Sequence, residues 1–98
     1  MELIPDDMVR IAFEKAQIDV KFLKKRPANQ QLAMLYGYFK QAISGNIQGN
    51  RPGFFDVVGR HKYDAWKKCE SMSQEQSMQS YVDLVHVLLS DPRLTDIE

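Results

Sequence analysis

Cys69 is the only cysteine among 98 residues. One thiol excludes an intramolecular disulfide and a thiolate-built metal cluster, and its expected place is inside the fold, in a reducing compartment. Net charge is missing too. Thirteen Lys and Arg balance thirteen Asp and Glu, so no global field draws the chain onto nucleic acid or an acidic membrane. The one cationic run, KFLKKR from Lys21 to Arg26, reads as a helix C-terminus offsetting the macrodipole. No apolar stretch approaches the ~20 residues that span a bilayer. The acidic start MELIPDDMVR lacks the apolar segment of a signal peptide, and neither an N-terminal Met-Gly nor a prenylation box is present. A cytoplasmic location is expected.

Local signatures of chemistry are equally scarce. There is no Walker sequence, no GxGxxG and no HExxH. His61 and His86 each lack a second metal ligand at i+4, so no metal site is expected. No carboxylate pair accompanies a nucleophile, and Cys69 has no catalytic surroundings in sequence. The chain is therefore expected not to be an enzyme.

What the chain does contain is helical periodicity. Val9, Ala12, Phe13, Ala16, Val20 and Leu23 form one apolar stripe from about Asp7 to Lys25, with Asp6 and Asp7 as caps and Pro27 as a stop. Leu32, Leu35, Tyr36, Phe39, Ala42 and Ile43 form a second from Asn29, its expected N-cap, to Ser44, with Gly45 as a left-handed terminator. The segment 46–57 holds two Gly and one Pro without helical period and reads as a long loop, a frequent home of function. A shorter helix follows from Val58 or Gly59 to about Glu70, with Tyr63, Trp66 and Cys69 inward. Ser73 and Gln76 form a capping box for a fourth helix carrying Met78, Tyr81, Val82, Val85, Leu88 and Leu89. Ser90-Asp91-Pro92 ends it, and a polar tail from about residue 91 is expected to fray. With no strand pattern, these stretches predict one all-α four-helix bundle over residues 1–98, with a short N-terminal extension over about residues 1–8. Short connections favour antiparallel neighbours, and the long loop allows helices two and three to run parallel. One bundle consumes all the stripes, so a monomer is expected.

The aromatics and lysines are distributed in a pattern of their own. Tyr36, Phe39, Lys40 and Ile43 share one helix face, and Lys62 and Trp66 form an i, i+4 pair beside Tyr63. Singly, such residues are ordinary core rings and snorkelling lysines. Together they suggest rings that stack on a base and cations that hold phosphate.

The ordered set Tyr36 to Ala42 (YxxFKQA), Gly45, Arg51-Pro52-Gly53, Asp56, Gly59, Lys62, Asp64-Ala65-Trp66, Ser73 and Tyr81-Val82 resembles the acyl-CoA-binding protein family. Upstream, Phe13, Lys21, Leu23 and Lys25-Arg26-Pro27-Ala28 fit the same pattern, without gaps from about Phe13 to Val85. The resemblance implies an up-down-down-up four-helix bundle. It also implies non-enzymatic binding, transport and buffering of medium- to long-chain fatty acyl-CoA. By the family pattern Tyr36 stacks on the adenine with Phe39 in the same pocket. Lys40 and Lys62 meet the phosphates, Lys21 adds a cation near the head group, and Tyr81 contacts CoA. Leu32 and Leu35 are assigned to the acyl-chain groove. No cofactor or nucleic acid is implied, membrane insertion is not stable, and contact with acyl-CoA-using enzymes is transient. Departures include Tyr63 where the family usually has tryptophan, Phe39 in place of a frequent tyrosine, Val57-Val58 where a lysine is common, and an acidic tail. They leave chain-length preference open. The alternative is a helical adaptor for a protein or another lipid.

Overall fold

The stripe Met78, Tyr81, Val82, Val85 and Leu88 fills the centre of the molecule in the computed structural model, which describes residues 5–96, with side chains from Asp7 onward. These residues lie on α4 (Gln74–Leu89). The other elements are α1 (Pro5–Asp19), a 3₁₀ turn (Val20–Phe22), α2 (Asn29–Ser44), α3 (Val57–Lys67) and a short α5 (Pro92–Thr95). No strand occurs among the described residues.

Side-chain pairs set the directions of the four main helices. Phe13 of α1 meets Tyr81 of α4 edge-on at 5.2 Å, and past the ends of both helices Lys24 N–H donates to the Leu94 carbonyl at 2.8 Å. α1 and α4 therefore run the same way. Gln74, at the start of α4, donates to the Ala42 carbonyl near the end of α2, so these two oppose each other. α2 and α3 run in parallel, since Tyr36 pairs with Lys62 and Lys40 with Trp66. The order is up, down, down, up. The loop between α2 and α3 permits the parallel step.

Caps explain most boundaries. The Ser73 hydroxyl accepts from Gln76 N–H, and the Gln76 amide oxygen accepts from Ser73 N–H, completing the predicted box. Gly45 ends α2 with φ +73° and ψ −154°, a positive-φ conformation that glycine adopts without Cβ strain but not the αL cap expected. Asp56, unnoticed in the sequence as a cap, accepts from Gly59 N–H at the start of α3.

Several expectations are corrected. α1 reaches back to Pro5, so Asp6 and Asp7 lie inside its first turn instead of preceding it. At the other end α1 tightens into 3₁₀ geometry at Val20 and does not reach Lys25, because Lys24 and Lys25 N–H groups both donate to the Leu94 carbonyl. Asn29 is the first residue of α2, not its cap. It accepts from Arg26 at 2.7 Å, and Gln31 reaches back to Ala28 N–H. Pro92–Thr95 is not frayed. Asp91 caps it, and Leu94 packs on the core. Residues 1–4 and 97–98 of the expected extension and tail lie outside the described residues. Ile43 is exposed, while Ala65 and Cys69 are the inward residues of α3 and its following turn. Burial pushes the Cys69 thiol above its ordinary value and keeps it protonated.

α2 and α3 approach closely at Gly37, where a Cβ would stand 2.5 Å from the Ala65 carbonyl oxygen. That neighbour is backbone and cannot rotate away, so the helices would have to separate. Gly37→Ala is expected to destabilise the protein by about 1–3 kcal/mol despite the better helix propensity of alanine. Urea denaturation checks this, and an unchanged or raised midpoint would contradict it.

Candidate ligand-binding site

α2 and α3 face each other across an open hollow of about 340 Å³ lined by Arg26, Asn29, Leu32, Ala33, Tyr36, Val58, His61 and Lys62. The α2 contribution, Asn29, Leu32, Ala33 and Tyr36, follows i, i+3, i+4, i+7. The α3 contribution, Val58, His61 and Lys62, follows i, i+3, i+4. Each helix thus presents a single face. The lining combines an aromatic ring, three apolar side chains, an asparagine, an arginine, a lysine and a histidine, with no carboxylate. Such a surface suits a ligand that is flat and anionic at one end and apolar at the other.

Two ring–cation pairs bridge the helices. Lys62 Nζ lies 5.5 Å from the centre of the Tyr36 ring, and Lys40 Nζ lies 4.8 Å from that of Trp66. Tyr36 and Lys40 are one turn apart on α2, as are Lys62 and Trp66 on α3, so the pairs stack like rungs. Trp66 is itself fixed, its indole N–H donating to the Gly45 carbonyl at 2.8 Å and to Gln41 Oε1 at 3.2 Å.

The loop 45–56 is tied down onto α3. Arg51 grips Asp64 through two bonds of 2.9 and 2.8 Å, Arg60 Nε donates to the Pro52 carbonyl, and the Tyr63 hydroxyl donates to the Gly49 carbonyl. The Arg51 hydrogen bonds hold Asp64 below the usual carboxylate range.

The expected site residues divide into two groups. Tyr36, Lys62 and Leu32 share the hollow between α2 and α3. Lys21, Phe39 and Tyr81 border a shallower one of about 440 Å³ between α1, α2 and α4, with Glu14, Gln17, Ile18 and Val20. Phe39 was expected beside Tyr36. Three residues of helix rotate it by ~60°, and it joins Phe13 and Tyr81 in a ring cluster with centroids 6.1 and 6.4 Å away. Burial raises the Tyr81 hydroxyl above its ordinary value. Lys40 borders neither hollow; its ammonium lies over the Trp66 ring. Leu35, expected in a groove, is 8% exposed and belongs to the core. Arg26, His61 and Val58 were not singled out as site residues. The signal for the last two was their spacing from Lys62 on one face of α3. Arg26 lies in the turn between helices, where no period points to it.

Among the described residues no cluster of three or more His, Cys, Asp or Glu could hold a metal, and no helix is long and apolar enough to cross a membrane.

A parallel helix pair that places the Tyr36 ring and Lys62 at one hollow, with two further helices running opposite to it, defines a four-helix bundle whose hollow suits a small amphipathic anion. The family model for acyl CoA binding protein matches residues 10–85. Acyl-CoA-binding domain-containing protein 6 of Danio rerio is 45% identical over 76 residues, which is 78% of this chain and 25% of that protein. The protein of the same name from Arabidopsis thaliana is 42% identical over 77 residues, covering 79% of this chain and 84% of the relative. The chain thus spans a quarter of the first relative's length and most of the second's. The crystal structure of Oryza sativa Acyl-CoA-Binding Protein 2 superposes with a TM-score of 0.79 at 37% identity, over 83% of this chain and 88% of that one. The chain belongs to the acyl-CoA-binding protein family.

Proposed function

We propose that this protein binds medium- to long-chain fatty acyl-CoA and carries or buffers it in the cytoplasm, with no chemistry of its own and no cofactor. The observation that carries this reading is the placement of Tyr36 and Lys62 at one hollow with Leu32, Ala33 and Val58. A base can stack on the free face of the ring, phosphates can reach Lys62 and Arg26, and the apolar floor takes the acyl chain. A cation on an exposed ring is held by ~0.5–1 kcal/mol, whereas a charge-assisted bond to phosphate contributes ~1.5–3 kcal/mol. Lys62 can therefore leave Tyr36 for an arriving phosphate, and Lys40 can leave Trp66 in the same way. Lys21 and Tyr81, across the bundle, would meet a part of the head group that extends over α2.

Protein purified from cells under native conditions should carry acyl-CoA masses in a native mass spectrum. Finding it empty after exposure to palmitoyl-CoA would refute the carrier reading. Release of free thiol from palmitoyl-CoA during incubation would instead mark a thioesterase.

Lys62→Ala is expected to weaken acyl-CoA binding about ten- to a hundredfold, the worth of one charge-assisted phosphate bond. Lys40→Ala should also weaken binding and, through the lost ring contact, lower stability by no more than ~1 kcal/mol. Calorimetric titration together with circular dichroism separates the two roles. Wild-type affinity in Lys62→Ala would remove that lysine from the site, and loss of helicity in Lys40→Ala would make it structural.

A further inference from the structure

A second hollow borders α2, again of about 340 Å³, between that helix and the end of α3 with the turn that follows. Ala33, Met34 and Tyr38 come from α2, and Ala65, Cys69 and Met72 from α3 and the turn. Gln30 and Lys68, both exposed, complete the lining, and no carboxylate belongs to it. Of all these residues Ala33 alone also lines the first hollow. The close approach of Gly37 to Ala65 lies one turn further along α2. Ala33 thus stands just before the point where the two helices meet, with one methyl group between the two hollows.

Their chemistry differs. The first holds Tyr36 with Lys62 over its ring, and Arg26. The second has Lys68 as its single charged side chain, and its character comes from sulfur. Met34 and Met72 are unbranched and polarisable, which suits them to a flexible chain of no fixed shape. The Cys69 thiol donates weakly to the Ala65 carbonyl at 3.6 Å and so makes no polar demand on a ligand. Lys68 can lay its methylenes along a chain while its ammonium stays in water. Met34 is 40% exposed, apolar surface that an alkyl chain would remove from water.

Size points the same way. The first hollow lies near the lower end of the ~300–1,000 Å³ that enclose drug-sized ligands. Under the proposed function it already receives a base at Tyr36 and phosphates at Lys62 and Arg26, which leaves little room there for a long chain.

We propose that the second hollow is the distal part of the acyl-chain site. A chain whose head group is held at Tyr36 and Lys62 crosses α2 at Ala33 and ends among Met34, Cys69 and Met72. Ala33 is then the residue that sets chain length, because its small side chain leaves the crossing open. This rests on the acyl-CoA reading of the first hollow.

Methionine methyl spectra of the carbon-13-labelled full chain test it, with Met34→Leu and Met72→Leu assigning two of the five signals. Free CoA and octanoyl-CoA should leave the Met34 and Met72 methyls in place, and palmitoyl-CoA should shift both. By calorimetry, Ala33→Leu should lower the ratio of palmitoyl-CoA to octanoyl-CoA affinity about tenfold, the contribution of about two methylenes. Met34→Ser should lower the same ratio severalfold, and its exposed position should leave helicity by circular dichroism unchanged. Palmitoyl-CoA that binds without moving either methyl would overturn the second hollow and leave the carrier reading intact. So would shifts of equal size with free CoA, which would put the head group there, or an unchanged ratio in Ala33→Leu. Failure of octanoyl-CoA and palmitoyl-CoA alike to bind would overturn both readings.

Discussion

Palmitoyl-CoA is expected to bind this protein at least about a thousandfold more tightly than free CoA. The chain beyond the thioester has fourteen methylenes, and each contributes ~0.8 kcal/mol when fully removed from water, or about 11 kcal/mol before ordering costs. The hollow between α2 and α3 is open on one side, so only part of the chain is covered. Burying half of it leaves about 5 kcal/mol, which is between a thousand- and ten-thousandfold in affinity. The head group is shared by both ligands and cancels in the comparison. Titration calorimetry with both ligands at one salt concentration measures the ratio directly. Equal affinities would mean that Leu32, Ala33 and Val58 hold no chain. A series of acyl lengths would then locate where added methylenes stop contributing, which is the length of the groove.

Gln41→Ala is expected to destabilise the bundle by about 2–4 kcal/mol, a large share of the ~5–15 kcal/mol that holds a domain together. Gln41 is fully buried. Its amide donates to the Met72 carbonyl at 2.9 Å and to Asn46 Oδ1 at 2.8 Å, and its oxygen accepts from the Trp66 indole. Asn46 in turn accepts from Ser71 N–H, in the turn where Ser71 holds φ +78°. One side chain thus joins the end of α2, the ring beneath Lys40 and the connection between α3 and α4. Alanine would leave the Met72 carbonyl without this donor and open a cavity. Gln41→Leu should restore little, because it fills volume without supplying a donor. Urea denaturation of both variants checks this. A change below ~0.5 kcal/mol in Gln41→Ala would show that water or a shifted backbone satisfies the same groups.

Gln41 also shows where a sequence stops being readable. It was legible as part of YxxFKQA, but nothing in its spacing marks it as buried, since its partners lie on the α2–α3 loop, on α3 and on the turn before α4. Phe39 shows the same limit from the other side. Its place on the helix was clear, yet whether it faces α3 with Tyr36 or α1 with Phe13 depends on where those helices stand. The frayed tail was misjudged because the Leu94 carbonyl meets Lys24 and Lys25, some seventy positions away in the chain.

The sequence by itself determined four amphipathic helices, the Ser73 box, the Gly45 terminator and the family pattern. Each of these is a matter of residues within a turn or two of one another, where spacing alone sets which side chains meet. Tertiary structure decided which lysine sits over which ring, that Leu35 is core and Leu32 is not, and that Val58 and His61 join Tyr36 at one hollow. Those relations depend on the rotation of each helix about its axis, and packing against partners distant in sequence fixes that rotation.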